Sequence, residues 1–182
     1  MALHEAGHAI VAHELGLPVA EISILAMGEA AGWVNTELRD RLLTRHDVEC
    51  IVSMTLAGRA ADMVLGSGAN AGASSDIESA NALLRSAMLD LGLYGSLTTS
   101  GNTNLRDWQD DGISIWTAIN TELDRLYNRA AEIVDRRRGD IFKVVEVLLV
   151  ERVVTGDRLA EIVGTEMADG NADDAALPVG RP

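Results

Sequence analysis

A chain of 182 residues, 47% of them hydrophobic, is long enough to bury one core and too apolar to be disordered. With 28 Asp and Glu against 15 Lys and Arg, its formal charge is −13, so nucleic acid and anionic lipid would repel it and neither is an expected partner. No apolar run reaches the roughly 18 residues of a membrane span, and a single cysteine cannot form an internal disulfide.

The first residues lead straight into His4 without a secretory pattern, and Cys50, set among apolar neighbours, reads as a buried small hydrophobe in a reducing compartment. A cytoplasmic location without membrane insertion is expected. Residues 3–15 are predicted to form an amphipathic helix stopped by Gly16 and Pro18. Segments 20–27 and 31–38, flanking Gly28 and carrying β-branched Ile22, Ile24 and Val34, are predicted as a hairpin. A long helix is expected from an N-cap at Thr44 to Leu65, and its small-residue run TLAGRAAD permits close helix packing. Residues 66–75 read as a loop. Ser75 and Glu78 have the spacing of a capping box for the next helix, whose apolar stripe runs through Ile77, Ala80, Leu84, Ala87, Met88 and Leu91 to a stop at Gly92. A polar loop over 98–112 is followed by helices over 113–137, about 140–151 and 157–163, the last capped by Asp157 or Thr155. The arginines of DRRRGD read as a solvated helix end, and residues 165–182 as an acidic, mobile tail. The expected fold is one mainly α domain, 1–164, with a small β-hairpin or sheet.

Chemistry concentrates in HEAGH, residues 4–8. At about 100° per residue, His4 and His8 lie one turn apart on one helix face, where two imidazoles can reach a common ion. Glu5 lies on the neighbouring edge, placed to take a proton from water rather than to bind metal. Gly7 is expected to leave open space beside the site. A zinc site needs a third protein ligand. His13 is about 180° around the helix from His4, and His46 belongs to the first turn of another helix. Glu14 holds the third-ligand position of an HExxHxxGxxH pattern, but Val11 stands where that pattern needs a helix-breaking glycine, so Glu14 is rejected. Asp76, entered through the small-residue loop AGASSD, is the best remaining carboxylate. On spacing alone it reads either as a ligand or as a first-turn acid complementing the helix dipole.

HEAGHAIVA, AGRAADMVLGSG, AGASSDIESANALLRSAM and LGLYGSL, in that order and spacing, resemble the peptidase domain of FtsH-type ATP-dependent zinc metalloproteases over about residues 4–163. The resemblance implies a zincin-like helical peptidase in which His4, His8 and Asp76 bind Zn²⁺ and Glu5 is the catalytic base. It further implies a hexamer whose ATPase ring feeds unfolded polypeptide to the peptidase sites, and a substrate-facing strand near ISILAMGEAAGWV. Departures are equally concrete. Lys143 is the only lysine and lies in IFKVVEV, so no P-loop is present. None of these residues reads as the membrane anchor usual in the family, the motif helix begins three residues into the chain, and the lead-in ANAGASSD lacks the family's threonines. The expectation is therefore a zinc metalloendopeptidase acting on unfolded or flexible polypeptide. The alternative is a non-catalytic metal-binding or regulatory domain working with a separate ATPase.

Overall fold

Apolar residues recur along one side of the first segment of the chain, and in the computed structural model they become a helix, α1 (Ala2–Glu14), with Ala6, Ala9, Ile10 and Val11 fully buried. The structure describes residues 1–25, 32–36, 42–68, 70–95, 109–110 and 113–164. Leu15 and Gly16 close α1 by bonding back to Val11 and His13, and the positive φ of Gly16 (+70°) lets the chain turn there. The chain then enters β1 (Val19–Ser23), which pairs antiparallel with β2 (Trp33–Thr36). The strands are shorter than the predicted 20–27 and 31–38, and residues 26–31, with Gly28, lie outside the described residues.

Helix α2 (Arg45–Val64) begins at Thr44, whose hydroxyl accepts from the Asp47 N–H while Asp47 accepts from the Thr44 N–H. This reciprocal box fixes the predicted start. A 3-10 turn (Ala71–Ala73) leads into α3 (Ser74–Leu89). The capping box expected at Ser75 and Glu78 does not form. Ala73 is the N-cap, no side chain caps the helix, and Ser75 already lies inside it. The turn preceding the helix, held by the Asn70 side chain accepting from the Gly72 N–H at 2.8 Å, fixes the start instead.

The remaining elements are the two-residue pair β3 (Gln109–Asp110) and β4 (Ile113–Ser114), α4 (Ile115–Arg136), α5 (Arg138–Glu151), β5 (Val153–Thr155) and α6 (Gly156–Val163). Thr155, not Asp157, caps α6 by accepting from the Arg158 N–H. Strand β5 was not predicted. Three residues are too short for a periodicity signal, and it forms by pairing with β1, giving an antiparallel sheet in the order β2-β1-β5. The DRRRGD arginines are paired rather than merely solvated. Arg136 reaches Glu14 at 2.7 Å, Arg137 reaches Asp140 at 3.1 Å, and Arg138 pairs with Asp135. The acidic tail lies outside the described residues. No helix among the described residues is long and apolar enough to cross a membrane.

One core joins α1, α2, α4, α5 and the sheet through residues such as Ile10, Ala57, Ala61, Ile133, Ile141 and Leu148. A second, around Val52, Leu84, Ile119 and Leu126, joins α2, α3 and α4. Central to both, α2 presents its small residues to α1. A Cβ at Gly7 would lie 2.6 Å from the Ala61 Cβ and 2.8 Å from the Ala57 carbonyl oxygen. The expected open space beside Gly7 is therefore filled by α2. The glycine serves close approach of two helices, which outweighs its cost of about 1 kcal/mol in helix propensity.

Candidate metal centre and base

The close contact of α1 and α2 settles how the histidines are held. His8 is 7% exposed and sets its Nδ1 2.8 Å from the Met54 carbonyl oxygen. A carbonyl only accepts, so Nδ1 carries the proton and the Nε2 lone pair faces the cleft. His4 donates through Nδ1 to Asp62 at 2.9 Å. Asp62, buried on α2, also accepts from the Asn70 amide at 2.9 Å. The chain of bonds His4–Asp62–Asn70–Gly72 thus ties α1 to the turn that delivers α3.

Asp76, in the first turn of α3, points its carboxylate at the histidines: Oδ2 is 2.9 Å from His4 Nε2 and 3.3 Å from His8 Nε2. One donor atom from each of His4, His8 and Asp76 lies within 4.8 Å of the others. Bonds of about 2.0–2.1 Å to a tetrahedral zinc separate neighbouring donors by roughly 3.3 Å, close to the two spacings from Asp76. The floor of this cluster is bare backbone. A Cβ at Gly58 of α2 would sit 2.4 Å from His8 Nε2 and 2.5 Å from His4 Nε2. Two imidazole nitrogens, one carboxylate oxygen and a cradle that any side chain would fill fit a zinc ion.

Glu5 is 6% exposed beside the cluster. Burial pushes its carboxyl up from the ordinary value, and His8 and His4 pull it partly back. Burial also disfavours the charge on His4, but hydrogen bonds to Asp76 and Asp62 prevail and carry it to about 9. For Asp76 the same contest ends well below the usual carboxylate range, because His4 and His8 both hydrogen-bond to it. The cluster faces a cleft of about 590 Å³, walled by Trp33 and Val34 of β2, Met54 and Thr55 of α2, and Ser75 and Ser79 of α3.

Other residues weighed from the sequence lie elsewhere. His13 is half-buried at the C-terminal end of α1, and α1 runs through to Glu14, whose carboxylate is paired with Arg136. His46 is exposed in the first turn of α2, 3.5 Å from the Cys50 sulfur. Cys50 is buried, and desolvation raises its thiol pKa against the pull of Arg129. Sequence reasoning missed Asp62 and Gly58. An acid within the apolar and small-residue stretch AADMV was a signal for Asp62, since buried carboxylates need partners.

Comparison with known proteins bears on this arrangement. The family model for peptidase family M41 matches residues 1–162. The chain is 30% identical to the ATP-dependent zinc metalloprotease FtsH of Thermotoga maritima, over 91% of this chain and 30% of that protein. It is 32% identical to the ATP-dependent zinc metalloprotease FtsH 3 of Sorangium cellulosum, over 96% of this chain and 30% of that protein. The chain therefore spans about 30% of the length of these curated relatives.

Proposed function

The chain belongs to peptidase family M41, and on that premise we propose that it is a zinc metalloendopeptidase hydrolysing peptide bonds in unfolded or flexible polypeptides. The observation that carries this reading is the convergence of His4, His8 and Asp76 donor atoms beside Glu5. In this reading His4 Nε2, His8 Nε2 and Asp76 Oδ2 hold the ion. Zinc in such a site supplies Lewis-acid chemistry, acidifying water towards a pKa of about 7 and polarising a carbonyl.

The protein's own residues do the rest. Glu5 accepts the proton of the attacking water and hands it to the leaving amine. Asp62 and the Met54 carbonyl keep both imidazoles turned with Nε2 towards the cleft. Strand β2 is an outer strand of the sheet and walls the cleft with Trp33 and Val34, so an extended polypeptide can pair along it with its scissile bond over the cluster. A flexible chain enters such a cleft unaided. Folded substrates would reach it through an ATPase, carried on a hexamer of the family's kind or on a separate chain.

Zinc-loaded protein is expected to cleave casein, and a chelator to stop it, with zinc restoring activity. The absence of chelator-sensitive cleavage would leave the non-catalytic metal-binding reading in its place.

The charge states around His4 give a second test. The pKa of His4 rises from 6.5 unfolded to about 9 folded, so its stabilising contribution is complete below pH 6.5 and is lost as pH rises through 9. The Asp76 carboxyl is depressed, so its contribution holds above 3.8 and is lost as pH falls further. Chelator-treated protein is thus expected to lose on the order of 3 kcal/mol of stability from this pair between pH 6.5 and 9. Zinc must displace the His4 proton, so its stabilising effect grows over the same range. Thermal melts at pH 6 and pH 9, with and without zinc, check both slopes. A gap between the two forms that does not widen with pH would contradict the assigned proton.

A further inference from the structure

Gly32, the residue that leads into β2, is placed against Glu5. A Cβ built on it would lie 2.6 Å from Glu5 Oε1 and 2.9 Å from both Glu5 Cδ and Cγ. Those are its three nearest atoms, all from one side chain. What the missing side chain provides is room, and the Glu5 carboxyl fills it.

Among the described residues no hydrogen bond holds the Glu5 carboxylate. The helix that carries it is anchored in the core, with the neighbouring Ala6 and Ala9 fully buried. Where the carboxylate rests is therefore decided by what it packs against. We propose that Gly32 is a positioning residue for Glu5: its bare backbone is the wall that sets the base at its working distance from the attacking water. This rests on the reading of Glu5 as base in a zinc peptidase. A methyl group at position 32 would displace the carboxylate by somewhat under 1 Å to regain ordinary contact. Errors of that size in a reacting group cost up to about 100-fold in rate.

A double-mutant cycle tests this. Gly32→Ala is expected to lower kcat on a casein-derived peptide by about 10- to 100-fold, with KM nearly unchanged and zinc affinity, measured by competition with a chelating dye, equal to that of the parent. Glu5→Ala removes Cγ, Cδ and Oε1, the three atoms a methyl at position 32 would meet, together with the carboxylate it would displace. In that background Gly32→Ala should change the residual kcat by no more than about twofold, because it acts only through Glu5 and the two losses do not add. A residue serving only the fold would give the same loss in both backgrounds. The proposal is overturned if Gly32→Ala keeps the parent kcat, if its loss persists undiminished in the Glu5→Ala background, or if it weakens zinc binding. Glu5→Gln separates the two levels. If that variant remains active, the base assignment itself fails; if it is inactive while Gly32→Ala is fully active, only the role of Gly32 falls.

Discussion

Glu5→Gln is expected to bind zinc as the parent does and to cleave casein at least about 100-fold more slowly, within the range a positioned general base contributes. Glutamine keeps the size and polarity of the side chain and so keeps its packing against Gly32. It cannot accept a proton. The expected loss therefore isolates one function, proton transfer, from metal binding, which the proposal assigns to His4, His8 and Asp76. Burial raises the proton affinity of the Glu5 carboxylate and makes it a better base, while His8 and His4 pull partly the other way. Casein hydrolysis and zinc affinity, measured on the same preparation, decide the matter. A glutamine variant as active as the parent would remove Glu5 from the mechanism.

What the sequence makes legible here is periodic or local. His4 and His8 share a face because of helix geometry alone, and Thr44 with Asp47 marks the start of α2 by its own hydrogen bonds. Asp76 is different. Elimination makes it the best remaining carboxylate, but spacing leaves it open between ligand and dipole partner, and only the resemblance of AGASSD implies the ligand. The structure places it in the first turn of α3 with Oδ2 within 3.3 Å of both imidazoles. Nothing local encodes such a meeting across 68 to 72 positions in the chain. It is produced by the packing of α1 on α2 and by the Asn70 turn. Gly7 shows the converse error. Between the two histidines of the motif it suggests room for chemistry, but its hydrogen faces Ala57 and Ala61, and the room lies instead at Gly58 on the opposing helix. Which glycine faces the site depends on the rotation of α2, and that is set by two separate cores rather than by the motif. Strand β5 was hidden for a related reason, because it exists only as a partner to β1.

Gly58→Ala is expected to lower zinc affinity by about 100-fold, at the upper end of what loss of a ligand's supporting contacts costs. On helix propensity alone the change should stabilise α2 by about 1 kcal/mol. Sterics decide against that gain. The new methyl would lie 2.4 Å from His8 Nε2, 2.5 Å from His4 Nε2 and 2.6 Å from His4 Cε1. Neither ring can swing aside freely. His8 would give up its bond to the Met54 carbonyl and His4 its bond to Asp62, leaving that buried carboxylate with Asn70 alone. Overpacking of this kind costs about 1–3 kcal/mol, a range a folded chain tolerates, so circular dichroism should show the helices intact while zinc binding is weakened. Gly139→Ala is the matched control, because a Cβ there meets nothing within 4 Å. It should leave zinc affinity at the parent value. If Gly58→Ala binds zinc as tightly as the parent, the two Nε2 atoms do not face α2 as described, and the ion would have to sit elsewhere than between His4, His8 and Asp76.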